Sequence, residues 1–347
     1  MIEKISPIEH IRMRPGMYIG IPNHYGILEM LGYLIEDFFK AGIDEIHFSL
    51  KDDNQLIIEG FGKKSLLLLS NTLKNVDSHF SKNCPFSLIE ILALSESSEM
   101  MVNDNGNQYG IRSDKGKLKE LTSVFQETCN NIKIDYIPDR EIFKDLCLNY
   151  EILNHLFRRY AFLNPEIKIK SVNELNKDQQ VNIFHFPNGV SEIMDYELEK
   201  RFLYYSPFFK LDFQKKTEFS YAVALLFFNN CYEAFKIKTY ANYKEATLGG
   251  SLLDGIMQGF QKFFKEEARK KNKRISVRSA KLKQHLFLYA SVTGELTFLG
   301  ATRQKLGTPL VQKESKEFVY QELKTYFTDK DDELIDVLRI FEITAEI

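Results

Sequence analysis

"HIRMRPGMYIG", residues 10–20, places a basic helix end, a Pro-Gly break and a short apolar run side by side. Upstream of it, Ser6 is a suitable helix N-cap, and Pro7 suits the first turn. The sequence therefore predicts a helix over 5–13 that ends at Pro15-Gly16. We expect apolar residues 17–19 to pack beneath the turn, so the stretch is predicted to be a folding element more than a catalytic one.

Farther along the chain, residues 26–41 carry apolar side chains at three- and four-residue steps, which predicts an amphipathic helix. Its other side carries a polar stripe of Glu29, Tyr33, Glu36 and Lys40. Alternating runs around the turn-forming segments KDDN and NDNGN then predict antiparallel hairpins. We expect an antiparallel sheet with helices on one face up to about residue 200, and a second unit built on a strand-helix-strand motif after it.

The composition is that of a globular protein without a dominant charge. A chain of 347 residues with 44% apolar content can bury two domain cores, and its formal net charge is −2. No global field therefore attracts nucleic acid or an anionic membrane. No apolar run reaches the length of a membrane span, and the charged N-terminus is unlike a signal peptide, so we expect a cytoplasmic protein without membrane contact. The dispersed cysteines and histidines predict structural roles and no metal site.

Six segments, taken in order, resemble one family. They extend from residue 10 to about residue 312 and read IRMRPGMYIG, IPDREIF, YEILNHLFRRYAFLNPEIKIK, FHFPNGV, LGGSLLDG and GATRQKLGTPLV. Together they closely resemble the ATPase subunit of bacterial type IIA topoisomerases, gyrase B and its topoisomerase IV counterpart. The resemblance implies an α+β fold: a GHKL (Bergerat-type) α/β sandwich over 1–200, followed by a βαβ-containing transducer domain over 201–347. In that family the two domains close as an ATP-operated clamp.

The resemblance places the family's catalytic helix just after the Arg-Pro-Gly motif. There the family has a glutamate that activates water and, four residues later, an asparagine that holds magnesium. With a one-residue insertion, Glu29 is the candidate for the glutamate and Tyr33 stands at the asparagine position. Without the insertion, Leu28 takes the glutamate position and both groups are lost. Since a phenol cannot replace an amide carbonyl as a ligand of a hard cation, we do not expect magnesium to be held here.

The family's adenine reader is a DxGxG motif at the end of a strand. This chain has IEGFG, in which Gly60 and Gly62 match the glycines and Ile58 stands at the aspartate position. The resemblance therefore makes the two glycines vestiges of a nucleotide site. A pocket without its buried acceptor forfeits about 1–3 kcal/mol and most of its selectivity for the base.

Three further elements of the family's site are altered. Residues 82–87, KNCPFS, replace the glycine-rich lid that cradles the triphosphate, and Pro85 removes an amide donor. Residues 130–132, NNI, replace the threonine-glycine-threonine that supports the adenine pocket. The transducer lysine that reaches the γ-phosphate falls at Arg303, which can still pair with phosphate. We expect a protein that kept the fold and lost ATP chemistry, with no cofactor; a rewired pocket that binds ATP and Mg²⁺ is the alternative.

A basic stretch over 262–283 has ten Lys or Arg residues against two Glu. Its most concentrated part could engage phosphates, and the transducer domains of the related clamps border a DNA-sized cavity. The other interpretation is a solvated helix end and loop. The candidate DNA-binding residues are Lys270, Lys271, Lys273, Arg274 and Arg278.

Three functions follow from the resemblance. The first is a non-catalytic interaction protein, a decoy, inhibitor or protective factor, whose partner is a type II topoisomerase subunit or a factor acting on it. The second is a DNA-binding clamp that needs no nucleotide, and the third is the ATPase half of a split topoisomerase. The sequence shows only a few residues of the family's swapped N-terminal arm and no metal-binding TOPRIM domain. A homodimer is compatible with the sequence, but that arm is expected to be truncated.

Overall fold

The chain folds around two β-sheets, each in its own unit. The computed structural model describes residues 5–76, 84–121, 129–175, 179–201, 207–229, 237–300 and 303–343. The first unit is Met1–Pro187 and the second is Asn188–Ile347. Mixed helices and mostly antiparallel strands confirm the predicted α+β class.

The first unit contains an eight-stranded sheet in the order β5-β4-β3-β6-β2-β1-β7-β8. Neighbouring strands are antiparallel except β1 and β7, which are parallel. The β1–β2 and β3–β4 hairpins confirm the two hairpins predicted about KDDN and NDNGN. The strands are β1 (Ile43–Leu50), β2 (Leu56–Gly62), β3 (Ser95–Asp104), β4 (Asn107–Asp114), β5 (Lys117–Leu121), β6 (Asn130–Pro138), β7 (Lys168–Asn173) and β8 (Gln180–Phe184).

Helices pack against this sheet because each has an apolar side that the alternating strands can bury. Along α3, Ile27, Met30, Leu34 and Phe38 are fully buried, which places the predicted amphipathic helix against the core. The helices of the first unit are α1 (Pro7–Met13), α2 (Gly16–Ile19), α3 (His24–Ala41), α4 (Leu67–Lys74), α5 (Phe86–Ala93) and α6 (Tyr150–Leu163). Within the described residues, no helix of either unit is both long and apolar enough to cross a membrane.

The Arg-Pro-Gly stretch anchors the first helix to the rest of the unit. Ser6 and Glu9 form a reciprocal capping box that starts α1. The Arg12 guanidinium donates to the carbonyl of Ala93 at 2.6 Å and pairs with the buried carboxylate of Asp139 at 2.5 Å. The expectation for residues 17–19 was partly wrong: Ile19 is buried, but Met17 is 68% exposed because the four-residue helix α2 turns it outward.

The second unit contains a five-stranded sheet in the order β12-β11-β13-β10-β9. Strands β11 and β13 are parallel and α8 lies between them along the chain, so the unit contains a βαβ motif as the resemblance implies. The sequence indicated residues 220–230 as the first strand of that motif, but the strand there pairs antiparallel with β13. The strands are β9 (Phe209–Lys216), β10 (Ser220–Phe227), β11 (Ile237–Ala241), β12 (Lys244–Glu245) and β13 (Leu286–Thr293). The helices are α7 (Val190–Arg201), α8 (Ser251–Lys270), α9 (Ser279–Lys283), α10 (Pro309–Tyr326) and α11 (Asp331–Arg339).

Two glycines let α8 and α10 approach closely. A Cβ atom on Gly255 would lie 2.0 Å from Ser315 Oγ and 2.4 Å from the carbonyl oxygen of Gln312. A Cβ atom on Gly259 would lie 2.7 Å from the carbonyl oxygen of Lys316. Both glycines are therefore required by the packing of the two helices and not by a turn.

The division between the units falls at 187/188, whereas the sequence placed it at 200/201. The difference is helix α7, which packs on β10 and β13 of the second sheet. Its sequence has little amphipathic character, so the pattern alone gave no sign of which sheet it would join.

Candidate functional site

The predicted catalytic helix carries Glu29 and Tyr33 one turn apart on α3. The Tyr33 hydroxyl donates to Glu29 Oε1 at 2.8 Å, and both side chains are half-buried. Asn23 caps the helix by accepting from the amide of Tyr25, which fixes the start of α3 at His24. The carboxylate that would have to accept a proton from water is therefore engaged by the side chain at the next turn of its own helix.

A second carboxylate-phenol pair follows on the same helix. The Tyr160 hydroxyl on α6 donates to Glu36 Oε1 at 3.0 Å. Burial raises the pKa of Tyr160 well above its ordinary value, and the charge of Glu36 adds to the effect. A Cβ atom on Gly32 would lie 2.8 Å from the Tyr160 oxygen, so this glycine makes room for the phenol. Sequence reasoning missed Tyr160 because nothing local indicates that α6 meets α3 here.

The strand that carries the two family glycines faces an apolar interior. Ile58 is fully buried, and its ladder partners Phe48 and Ile134 are buried as well. A Cβ atom on Gly60 would lie 2.8 Å from Ile43 Cδ1 and about as close to side-chain atoms of Phe38 and Ile132. Hydrocarbon thus surrounds the positions where the family places its adenine acceptor and the first glycine.

The other glycine, Gly62, lies at the end of β2. There a Cβ atom would meet the backbone carbonyl of Gly42 at 3.0 Å. Gly42 is the left-handed C-cap of α3. Gly62 is therefore accounted for by the close passage of the chain from α3 into β1, without a ligand.

A buried carboxylate links α3 to the start of α5. Asp37 Oδ2 accepts from the Ser87 hydroxyl at 2.8 Å and lies 3.4 Å from the Ser87 amide nitrogen, while Oδ1 accepts from Lys40 at 2.8 Å. Asp37 is 6% exposed. The protein thus supplies its own carboxylate to the first turn of α5, where an anion is favoured by the unpaired amides. The one signal in the sequence was an acidic residue among apolar neighbours in a core helix.

Only part of the predicted lid replacement can be placed. Lys82 and Asn83 lie outside the described residues, and Pro85 precedes α5 without a side-chain cap bond. Cys84 is half-buried, its thiol lies 3.7 Å from Thr72 Oγ1, and burial raises its pKa. A thiol with a raised pKa is a poor nucleophile at neutral pH, in line with a structural role.

The NNI segment, residues 130–132 at the start of β6, makes structural contacts. The Asn130 side chain accepts from the amide of Asn105 at 2.7 Å and donates to the carbonyl of Lys64 at 2.9 Å. Ile132 is 1% exposed and lies opposite Gly60 in the ladder. Asn130 thus connects two loops and Ile132 packs within the sheet, so the contacts observed at these two positions are structural.

Arg303, the candidate phosphate contact, lies in the second unit. Its side chain is exposed and its backbone is left-handed, with φ 54°. Ala301, the neighbour at which the family has glutamine, lies outside the described residues. The phosphate contact of Arg303 stays a prediction.

Some of the candidate DNA-binding cations of the basic stretch form ion pairs with acidic side chains, and others do not. Lys270 pairs with Glu267 at 2.6 Å, Lys271 pairs with Asp331 at 2.9 Å, and Lys273 pairs with Glu342. Within the described residues, no ion pair involves Arg274 or Arg278, and both are exposed. Within the described part of the chain, these two arginines are therefore exposed and without an ion-pair partner, whereas the three lysines each have an acidic partner.

The described residues contain no group of three or more His, Cys, Asp and Glu side chains arranged to hold a metal ion. Cys84, Cys129 and Cys147 are free thiols, and Cys231 lies outside the described residues.

Comparison with known proteins places this geometry in context. A sequence model described as DNA gyrase B matches residues 171–345, slightly more than half of the chain. The DNA gyrase B protein of Campylobacter jejuni is 26% identical over 352 residues, covering 92% of this chain and 45% of that protein. The DNA gyrase B protein of Thermotoga maritima is 26% identical over 369 residues, covering 97% and 58%. The chain thus spans about half the length of the curated relatives it matches.

Solved structures with the same fold include the B-subunit of the DNA gyrase from Myxococcus xanthus, with a TM-score of 0.78 at 15% identity over 95% of this chain and 99% of that chain. The 43K ATPase domain of Thermus thermophilus gyrase B, solved in complex with an aminocoumarin, has a TM-score of 0.73 at 19% identity, covering 96% and 93%. Both likenesses confirm the predicted fold class.

Proposed function

The chain belongs to the DNA gyrase B family, and from that membership we propose that it is a non-catalytic member, a pseudo-ATPase that acts by binding other proteins. The observation that carries the proposal is the apolar filling around β2. Ile58 stands where the resemblance puts an adenine acceptor, and Ile43, Phe38 and Ile132 occupy the space beside Gly60. A base placed there would meet hydrocarbon and no hydrogen-bonding partner for its amine, which a polar ligand tolerates poorly.

Two further contacts support the loss of chemistry. Glu29 accepts a hydrogen bond from Tyr33, whose phenol is a poor magnesium ligand, and the side chain of Asp37 occupies the first turn of α5 by accepting from Ser87. A phosphate brought to the same helix start would meet a buried carboxylate. At an effective dielectric constant of about 20, two like unit charges 4 Å apart repel by about 4 kcal/mol, and the Lys40 ammonium 2.8 Å from Asp37 offsets part of that repulsion.

The partner proposed is a subunit of a type II topoisomerase or a factor that acts on one, because a retained family fold with an altered nucleotide site suits a decoy, an inhibitor or a protective factor. We place the protein in the cytoplasm. The interaction is tested by titrating this chain into purified topoisomerase from the same source and measuring supercoiling or relaxation. A change in rate, or protection against an inhibitory factor, at stoichiometric amounts is expected. No change in either assay, together with no complex by sedimentation, would contradict the proposal.

The pseudo-ATPase part is tested by calorimetry with Mg-AMPPNP up to millimolar concentration. A gyrase B ATPase domain with an intact site serves as the positive control. We expect no binding heat with this chain and a normal isotherm with the control. Binding accompanied by dimerisation would instead favour the ATPase half of a split topoisomerase that acts with a separate TOPRIM-bearing chain. Glu29→Gln would then be the first variant for hydrolysis, and Arg303→Ala the first for nucleotide affinity.

A second candidate function, DNA binding without nucleotide, is favoured by the exposed Arg274 and Arg278. Each phosphate contact contributes about 0.9 to the slope of log affinity against log salt on duplex DNA. The variant R274E/R278E is therefore expected to weaken duplex binding and to lower that slope by about 2. The matched control is K117E/K119E, two exposed lysines of the first unit. Equal loss in both variants would assign the binding to nonspecific charge and contradict a site at the end of α8.

A further inference from the structure

The edge strands of the two sheets differ in the features that prevent pairing with other chains. Exposed outer strands pair with other chains unless charged side chains, proline, bulges or shortness prevent it. Strand β5 carries Lys117 and Lys119, β9 carries Lys210 and Lys216, and β12 is only two residues long. Strand β8, the other edge of the eight-stranded sheet, has the sequence QVNIF without a charge or a proline.

Two of the three apolar side chains of β8, Val181 and Ile183, point to the open face of its sheet. Val181 and Ile183 are 49% and 60% exposed, while Phe184 is buried. Asn182 points to the opposite face, where its amide donates to the Tyr150 hydroxyl at 3.0 Å. Among the described residues, no backbone hydrogen bond joins Val181, Asn182 or Ile183 to any segment besides β7. As far as the structure describes the chain, alternate amides and carbonyls on the outer side of β8 are therefore available for a further strand.

We propose that a second copy of this chain pairs with β8, antiparallel, about a two-fold axis through Asn182. In that register Val181 lies opposite Ile183 of the partner subunit, so four β-branched side chains gather on one face. A two-fold register about Val181 or Ile183 instead would leave one apolar residue of each copy opposite a polar one. A register centred between two residues would pair side chains from opposite faces. The strand is thus self-complementary in one register, as an isologous interface requires.

This pairing requires no contact from the N-terminal residues of the chain and no bound nucleotide. It therefore does not depend on the pseudo-ATPase proposal. It is measured by sedimentation equilibrium or light scattering from about 10 µM to about 500 µM, because short strand interfaces are weak. The mass of the wild-type chain is expected to rise with concentration from 40.5 kDa toward twice that value. The variant I183K, which puts an ammonium group into the pairing, is expected to remain monomeric throughout.

The control variant is L248K, which makes the same kind of change at a side chain that is 65% exposed in the second unit. It is expected to dimerise like the wild type. Circular dichroism of both variants checks that each remains folded. A monomer at every concentration, or a dimer that I183K leaves intact, would overturn the proposal.

Cysteine cross-linking tests the register itself. Side chains directly opposite in an antiparallel pair have Cβ atoms about 4.5–5.5 Å apart, and diagonal neighbours are about 7–8 Å apart. Under mild oxidation a mixture of V181C and I183C chains should form a covalent dimer, whereas either variant alone should not. The wild type controls for the exposed Cys129 and Cys147. Equal cross-linking in the single-variant samples would overturn the register through Asn182.

Discussion

Replacing Ile58 with aspartate puts the family's expected acceptor back at its position and asks whether a pocket is there. Ile58 is fully buried on β2, between the buried ladder partners Phe48 and Ile134. In an open nucleotide pocket, a carboxylate at this position would be hydrated and tolerated. In the filled interior of this structure it has no partner, so I58D is expected to be strongly destabilising.

The magnitude follows from two contributions. Removing most of a buried isoleucine side chain costs about 2–5 kcal/mol. Burying a carboxyl group without a hydrogen-bond partner costs about 1–3 kcal/mol more. The sum of about 3–8 kcal/mol is comparable with the whole free energy of unfolding of an ordinary domain, about 5–15 kcal/mol. Burial would raise the pKa of the new carboxyl above its unfolded value of about 3.9, so the deficit should be smallest near pH 4 and grow as the pH rises.

The assay is urea unfolding of I58D beside I57D, followed by circular dichroism. Ile57 is the adjacent residue on the same strand, but it is only half-buried and faces the open side of the sheet, opposite Asp135. The control places its carboxylate opposite Asp135, so we expect it to lose about 1–2 kcal/mol, still well below the loss expected for I58D. If I58D were as stable as I57D, the position would be solvated, and the argument for a filled pocket would fail. Binding of Mg-AMPPNP by such a stable I58D would refute it outright.

Three further predictions concern the scaffold. Gly255→Ala gains about 1 kcal/mol in helix propensity, but its new methyl group would lie 2.0 and 2.4 Å from atoms of α10 and would push that helix away. We therefore expect a net loss of about 2 kcal/mol in the free energy of unfolding, measured with urea. The control Gly16→Ala has nothing within 4 Å of its methyl group and should be neutral or slightly stabilising. Arg12→Ala should lower the free energy of unfolding by about 3 kcal/mol because it leaves the buried Asp139 carboxylate without its ion-pair partner. Adding Asp139→Asn should recover part of that loss. Equal stability of the single and double variants would contradict the pairing. Burial lowers the pKa of His285, so the folded protein binds fewer protons there than the unfolded chain and loses stability as the pH falls below about 6.5. The melting temperature should therefore decline more steeply between pH 7 and pH 5 in the wild type than in His285→Asn. Parallel curves for the two proteins would contradict this expectation.

The regular elements were largely predictable from sequence because their signals are local. The capping residues of α1, the apolar period of α3 and the turn residues of the β3–β4 hairpin each act over a few positions, and the structure confirms all three. Helix α7 was the exception in organisation. Its weak periodicity gave no indication that it would pack on the second sheet and move the boundary to 187/188.

In the candidate site, too, some features were readable from the sequence and others depended on the tertiary structure. The sequence by itself determined which chemical groups are present: an isoleucine at position 58, a tyrosine at position 33 and no lid glycine in residues 82–87. It could not supply the contacts of Asp37 with Ser87 or of Tyr160 with Glu36, because each joins side chains that are far apart along the chain. Those contacts depend on how α3 packs against α5 and α6, and packing depends on the shapes of many side chains at once. Local residue patterns therefore determined most elements and the family, while only the tertiary structure decided that the space beside Gly60 is filled and that, among the described strands, β8 lies at the edge of its sheet.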